Sequence, residues 1–336
     1  MLQARYEGAG FVGIGSAEVP EPGIGEVRID VAYTGICGTD LHVYRGHMDA
    51  RVQAPSVLGH EMSGRVASVG AGVAGWAIGD PVTVMPIDWC GDCPACRSGH
   101  THICQRLTFI GIDGPGSMQQ SWVVPERTLV RLPDGLDLRS AALVEPTAVA
   151  VHDVQRAEVA AGEQVLVVGG GPVGVLIAIV AANAGADVLL VEVDPARRSF
   201  ATDLGLRVAD SDVPDLVNDW TRGAGARIAF EVSGAAEGVN TAVDSLGVRG
   251  RLCLVAIHPS PREVNLHRFF WRELSLVGAR LYTRDDFVTA TKLIHDGTVP
   301  ADRLITHVEP LASAARAFDA LADGTGQMKV LVDCAG

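Results

Sequence analysis

Over the first 145 or so residues, apolar positions come in short runs broken by glycine, proline and polar clusters. EVRIDVAYTG (26–35), GRVASVG (64–70) and DPVTVMP (80–86) are short β-rich runs of that kind. The pattern predicts a small antiparallel β barrel or sandwich with loop excursions. From Gln164 the texture changes. QVLVV is a continuous apolar run that enters a glycine turn, VGVLIAIVAANAG reads as a helix stopped by glycine, and DVLLVEVD as the next strand. RIAFEVSG and RLCLVAI predict further strands, with a helix over GVNTAVDSLG between them. Strand–helix alternation of this kind implies a doubly wound parallel sheet. The tail, from DDFVTATKLIHDG to KVLVDCAG, predicts helices and strands that return to the first domain. The fold class expected is therefore α/β, with a β-rich domain from both chain ends and a parallel-sheet domain inserted between them.

Composition narrows the function more than the fold. With 336 residues the chain has room for two domains. Hydrophobic residues make up 48% and charged residues 20%, the balance of a soluble globular protein. A formal net charge of −13 and the absence of any basic run argue against a nucleic-acid partner, which needs a basic face. The longest apolar stretch, IAIVAANAGADVLLVEV, is interrupted by Asn183, Asp187 and Glu192, so no membrane span is expected. The N-terminal residues lack the pattern of a signal peptide, and a cytoplasmic location is expected.

Gly169-Gly170-Gly171-Pro172-Val173-Gly174 fits GxGxxG at a strand-to-helix turn, where backbone approaches a pyrophosphate closely. Glu192 ends the next strand, 18 residues after Gly174, placed to accept hydrogen bonds from ribose hydroxyls. A carboxylate there repels a 2′-phosphate and favours NAD over NADP, although Arg197 nearby suits either cofactor.

Cys90, Cys93, Cys96 and Cys104 stand in WCGDCPACRSGHTHIC, a CxxCxxCx7C arrangement. Two-residue spacings let sulfurs converge on one tetrahedral ion, and four thiolates leave no open position, so the reading is structural zinc. An iron–sulfur cluster is the competing use, but nothing else in the chain points to electron transfer.

With the GHE-x-x-G-x-V-x-x-V-G block (Gly59 to Gly70), Gly79-Asp80, LVEPTAVAVH (Leu143 to His152) and the closing KVLVD, the chain resembles the zinc-containing medium-chain dehydrogenases over essentially its whole length. Its tail, ELSLVGARLYTRDDF, looks like the butanediol and sorbitol side of that superfamily. The resemblance implies a GroES-like catalytic domain over 1–146 and 286–336, with a zinc lobe near 86–105, and a Rossmann domain over 147–285. It implies a catalytic zinc on Cys37 and His60, with Glu61 coordinating during part of the cycle. Glu145 stands where ethanol-type members have cysteine, as in the polyol, butanediol and threonine branch. It further implies cofactor contacts at Gly169, Gly171, Pro172, Val173, Gly174, Glu192, Arg197, Val255, Ala256 and Ile257, and a homodimer or homotetramer.

The chemistry expected is oxidation of a secondary alcohol (a polyol, vicinal diol or cyclitol) to the ketone, with zinc as Lewis acid and hydride passing to NAD. Thr39 and His42 match the family's proton-relay positions. Threonine dehydrogenase, an NADP-dependent carbonyl reductase and a catalytically silent NAD-binding protein of the same fold are the competing readings. GSMQQSWVV (116–124) departs from the family's GGFAEYV, and Gln119 and Gln120 there are placed to hydrogen-bond a polyhydroxylated substrate. Arg280 and Arg284 are candidates for an anionic one.

Overall fold

The computed structural model describes residues 1–210, 213–258, 260–324 and 326–336. The chain divides into two compact units, Met1–Glu145 with Thr283–Gly336, and Pro146–Tyr282. Among the described residues no helix is long and apolar enough to cross a membrane.

In the first unit the alternating run Glu26–Gly35 becomes the central strand of a seven-stranded sheet. Val27, Ile29 and Val31 point into the core, at most 2% exposed. One edge of this strand pairs antiparallel with Glu61–Val69, with Gly35 opposite Glu61. The other pairs with Lys329–Asp333, with Leu331 opposite Gly35. Three strand ends thus meet at one place, although Lys329 comes from the far end of the sequence. Ser121–Pro125, Pro81–Val84, Leu129–Arg131 and Ile305–Pro310 complete the sheet. The tail also supplies the helix Arg284–His295, capped by Thr283, whose hydroxyl and backbone N–H both donate to Asp286.

The second unit is a six-stranded parallel sheet. Its strands are β1 (Gln164–Val168), β2 (Asp187–Val191), β3 (Val208–Ala209), β4 (Ala226–Glu231), β5 (Leu246–Leu254) and β6 (Ser275–Gly278). They lie in the order β3-β2-β1-β4-β5-β6. β1 is central, and Val165, Leu166 and Val167 are fully buried, which explains its unbroken apolar run. Helix α1 (Pro172–Asn183) follows, with Gly171 extended at its N-cap and proline at the first helical position. The chain order and strand order are those of a dinucleotide-binding sheet, with its ligand side at the carboxyl ends of the strands.

Candidate active site

The register of the first unit assembles one cluster. Cys37 follows the end of its strand, and Glu61 opens the neighbouring one with His60 just before it. One donor atom each from Cys37, His60 and Glu61 lies within 4.8 Å of the others. A Cβ at Gly35 would stand 2.1 Å from Glu61 Oε2, so only glycine leaves room for that carboxylate. His60 is 2% and Glu61 1% exposed. Phe109 packs edge-on to the His60 ring, with centroids 5.0 Å apart. Glu145 opens the helix Val144–Arg156, is 4% exposed and lies outside that 4.8 Å group, but its charge acts on both His60 and Lys329.

Two residues at the centre are not evident from the sequence pattern. Asp40, fully buried, accepts the Cys37 backbone N–H at 2.9 Å and stands 3.6 Å from His60 Nδ1. It both starts the helix Gly38–Tyr44 and sets its carboxylate behind the imidazole, slightly beyond hydrogen-bond distance. The signal was present in CGTD, where an acid three residues after the first residue is a helix-start pattern. Lys329 donates to Glu61 Oε1 at 2.5 Å and to Ile36 O at 3.4 Å. No local pattern in KVLVD announces that.

The electrostatics favour a cation. Burial pulls the His60 pKa down, but the Asp40 carboxylate, Cys37 and Glu145 outweigh it and hold the imidazole well above its ordinary value. Burial likewise opposes the charge on Lys329, and Glu61 and Cys37 hold its pKa above the usual value. Three carboxyl groups and a thiol, those of Asp40, Glu61, Glu145 and Cys37, stand around the single Lys329, and burial raises the Asp40 pKa. A thiol, an imidazole and a carboxylate converging in such a place fit zinc, and binding it displaces the proton that the surroundings favour on His60.

The four-cysteine lobe fits a metal independently. Cys90, Cys93, Cys96 and Cys104 form a second group with donor atoms within 4.8 Å, and all four are free thiols. The sulfurs of Cys104 and Cys90 are 3.4 Å apart, those of Cys93 and Cys104 3.8 Å, and those of Cys90 and Cys96 3.9 Å. Tetrahedral zinc with ~2.3 Å bonds to sulfur requires separations near 3.8 Å. The backbone N–H of Cys96, then that of Gln105, pulls Cys93 down to about 6, and the N–H of Cys90 lowers Cys104. Burial pushes Cys96 up to about 12, so the lobe does not ionise fully without a cation among the sulfurs.

Thr39 Oγ1 is 3.9 Å from Cys37 Sγ, and His42 lies exposed on the same helix. Partial burial, His47 and Arg45 lower the His42 pKa. The structure puts other expected contacts to different use. Gln119 donates to Gly116 O at 2.7 Å and Gln120 accepts the Leu2 N–H at 2.8 Å, so both amides brace the backbone. Arg284 donates to the carbonyls of Leu129 and Arg127, which spends its guanidinium on tying its helix to the start of the strand Leu129–Arg131. Arg280 is exposed.

In the second unit Gly169 has φ +112°, and a Cβ at Gly174 would meet Gly169 O at 1.8 Å, so the turn demands both glycines. Gly171, Pro172 and Val173 lead into α1. Glu192 follows β2, is 7% exposed and accepts the N–H groups of Gly170 and Asp194 at 2.9 and 2.8 Å. Arg197, in the helix α2 (Pro195–Asp203), stands 3.9 Å from it. Val255 and Ala256 donate their N–H groups to Glu231 O, and Ile257 beyond them is 76% exposed. Sequence reasoning missed Glu231. Its buried carboxylate accepts from Ser233, Gly234 and His258 Nε2 and so holds this strand end.

Residues 23–134 match the family model of the alcohol dehydrogenase GroES-like domain, and residues 172–296 that of the zinc-binding dehydrogenases. The chain belongs to the zinc-dependent medium-chain dehydrogenases. It is therefore an oxidoreductase that acts on CH–OH groups, in a family that works with zinc and a nicotinamide cofactor. It is 47% identical to 2-dehydro-3-deoxy-L-galactonate 5-dehydrogenase of Pseudoalteromonas atlantica, covering 99% of each chain. It is 34% identical to L-galactonate-5-dehydrogenase of Escherichia coli, covering 90% of this chain and 89% of that one. Its structure resembles 2R,3R-butanediol dehydrogenase from Bacillus subtilis, with a TM-score of 0.90, 32% identity and 99% of both chains covered.

Proposed function

We propose that this dehydrogenase of secondary alcohols oxidises the C5 hydroxyl of a 2-dehydro-3-deoxy sugar acid to the ketone, with NAD as hydride acceptor. The similarity to an enzyme of that name, 47% over 99% of the chain, carries the substrate class. The Cys37–His60–Glu61 cluster carries the chemistry. An alcohol and NAD become a ketone, NADH and a proton, so the chain must place a hydride acceptor and give the proton an exit.

Cys37 and His60, with the carboxylates of Glu61 and Glu145, would hold a zinc ion, which would supply the Lewis acidity that eases ionisation of the alcohol near neutral pH. The Asp40 carboxylate stands behind His60 on its Nδ1 side. Lys329 restrains Glu61 through its hydrogen bond to Oε1. Thr39 takes the hydrogen bond of the substrate hydroxyl and His42 carries the proton outward. The glycine turn Gly169–Gly174 receives the pyrophosphate, and Glu192 the adenosine ribose, which favours NAD over NADP. Val255, Ala256, Ile257 and Arg197 complete the cofactor contacts.

A second zinc, on Cys90, Cys93, Cys96 and Cys104, orders the lobe. The edge of β6, unpaired among the described residues and with Leu276 50% exposed, and the exposed Leu266, Phe270 and Trp271 before it support a homodimer or homotetramer. Seven free thiols suit a cytoplasmic enzyme.

The test is NADH formation across a panel of alcohols. Turnover of 2-dehydro-3-deoxy-L-galactonate should exceed that of sorbitol, 2R,3R-butanediol and L-threonine by about tenfold or more in kcat/KM, a margin of ~1.4 kcal/mol in the transition state. Preference for threonine or a neutral polyol would overturn the substrate assignment.

A further inference from the structure

His42 and His47 face each other across the turn that ends the helix Gly38–Tyr44. Their Nδ1 atoms are 3.4 Å apart, and the ring centroids are 5.7 Å apart with 40° between the planes. The backbone sets this approach. Arg45 N donates to Leu41 O, Gly46 N to Val43 O, and His47 N to His42 O at 3.0 Å. Gly46 takes φ +74°, which reverses the chain and returns His47 towards His42.

Two imidazole nitrogens in contact need one proton and one lone pair between them. The ring that donates its Nδ1–H therefore has a bare Nε2, ready to accept a proton. The charged neighbours reinforce single occupancy. Arg45 places a guanidinium near His42 and donates to Ala322 O at 3.3 Å. The acids close by are committed elsewhere, since Asp49 accepts the Tyr6 hydroxyl and Asp319 that of Tyr44. A second positive charge on the pair is opposed, in line with the depressed His42 pKa.

We propose that His42 and His47 act as one proton-carrying pair, in which His47 is a positioning residue that orients His42 and accepts its Nδ1 proton. The proposal rests on His42 being the outlet for the alcohol proton. In the starting state His42 carries Nδ1–H and His47 carries Nε2–H. An arriving proton bonds to His42 Nε2, the His42 Nδ1–H bond breaks as that proton moves to His47 Nδ1, and His47 gives its Nε2 proton to water. One proton enters, one leaves, and no electrons are exchanged. Both rings are exposed, so exchange with water restores the starting tautomers.

The experiment compares wild type, His47→Ala and His42→Ala, loaded with zinc and NAD, in the transient phase of NADH formation from about pH 5.5 to 9, the range in which histidine titrates. The alcohol is the best substrate of the panel above. His47→Ala should slow this phase by about tenfold, short of the ~10²–10⁴ that loss of a general base costs. Its acidic limb should move to higher pH, because the ring that opposed protonation of His42 is gone. Added imidazole should restore part of the rate, with zinc content, KM for NAD and thermal midpoint unchanged. A His47→Ala enzyme with the wild-type rate and pH profile would overturn the pair while leaving His42 as outlet if His42→Ala is slow. If His42→Ala is itself unimpaired, the outlet assignment falls and the pair with it.

Discussion

Lys329 Nζ lies 2.5 Å from Glu61 Oε1, and the two side chains are only 5% and 1% exposed. A buried ion pair is expensive to half-remove, because the surviving charge keeps its desolvation cost without its partner. Lys329→Met should lower the stability of the metal-free protein by about 3–5 kcal/mol in urea unfolding. Adding Glu61→Gln to that variant should recover part of the loss. An unchanged urea midpoint in the single variant would show that the pair contributes nothing net.

Glu192 accepts the Gly170 N–H, and in the proposed function the same carboxylate receives the adenosine ribose. Glu192→Ala should raise KM for NAD by about tenfold, the value of ~1.4 kcal/mol of hydrogen bonding to a charged group. The ratio of kcat/KM for NADP over NAD should rise as well, because the charge that repels a 2′-phosphate is gone. Steady-state kinetics with both cofactors measure this, and an unmoved ratio would contradict the role.

Two buried phenols make the fold sensitive to alkali. Tyr44 donates to Asp319 at 2.6 Å, and that bond, then burial, pushes its pKa up to about 12. Burial, then the bond to Asp49, does the same for Tyr6. Unfolded, both ionise near pH 10. Their stabilisation is therefore complete below about pH 10 and lost as pH rises towards about 12. Tyr44→Phe should lower Tm at neutral pH and flatten its decline across that window. A decline as steep as in wild type would exclude Tyr44 as a source.

The sequence pattern exposes the fold where burial is one-sided or complete. Val27, Ile29 and Val31 alternate because one face is solvated, and β1 is uniformly apolar because both faces are covered. Helix Leu266–Arg272 leaves no such trace, since none of its residues is buried. At the active site, Cys37 and His60 stand out through their motifs. Lys329 does not, because its partner is 268 residues away and strand register alone brings them together. Gln119 and Gln120 look like substrate contacts until their backbone partners are seen. His47 carries no spacing signal, because its approach to His42 depends on the reversal at Gly46.

The central claim is that Cys37, His60 and Glu61 hold the catalytic zinc while the four-cysteine lobe holds another. Zinc stoichiometry measured together with NADH formation, for wild type and Cys37→Ser, tests it most directly. Wild type should bind two zinc ions per chain. The variant should lose one zinc and nearly all turnover while NAD, titrated by fluorescence, still binds as in wild type. Wild-type zinc content with undiminished turnover in the variant would contradict the account.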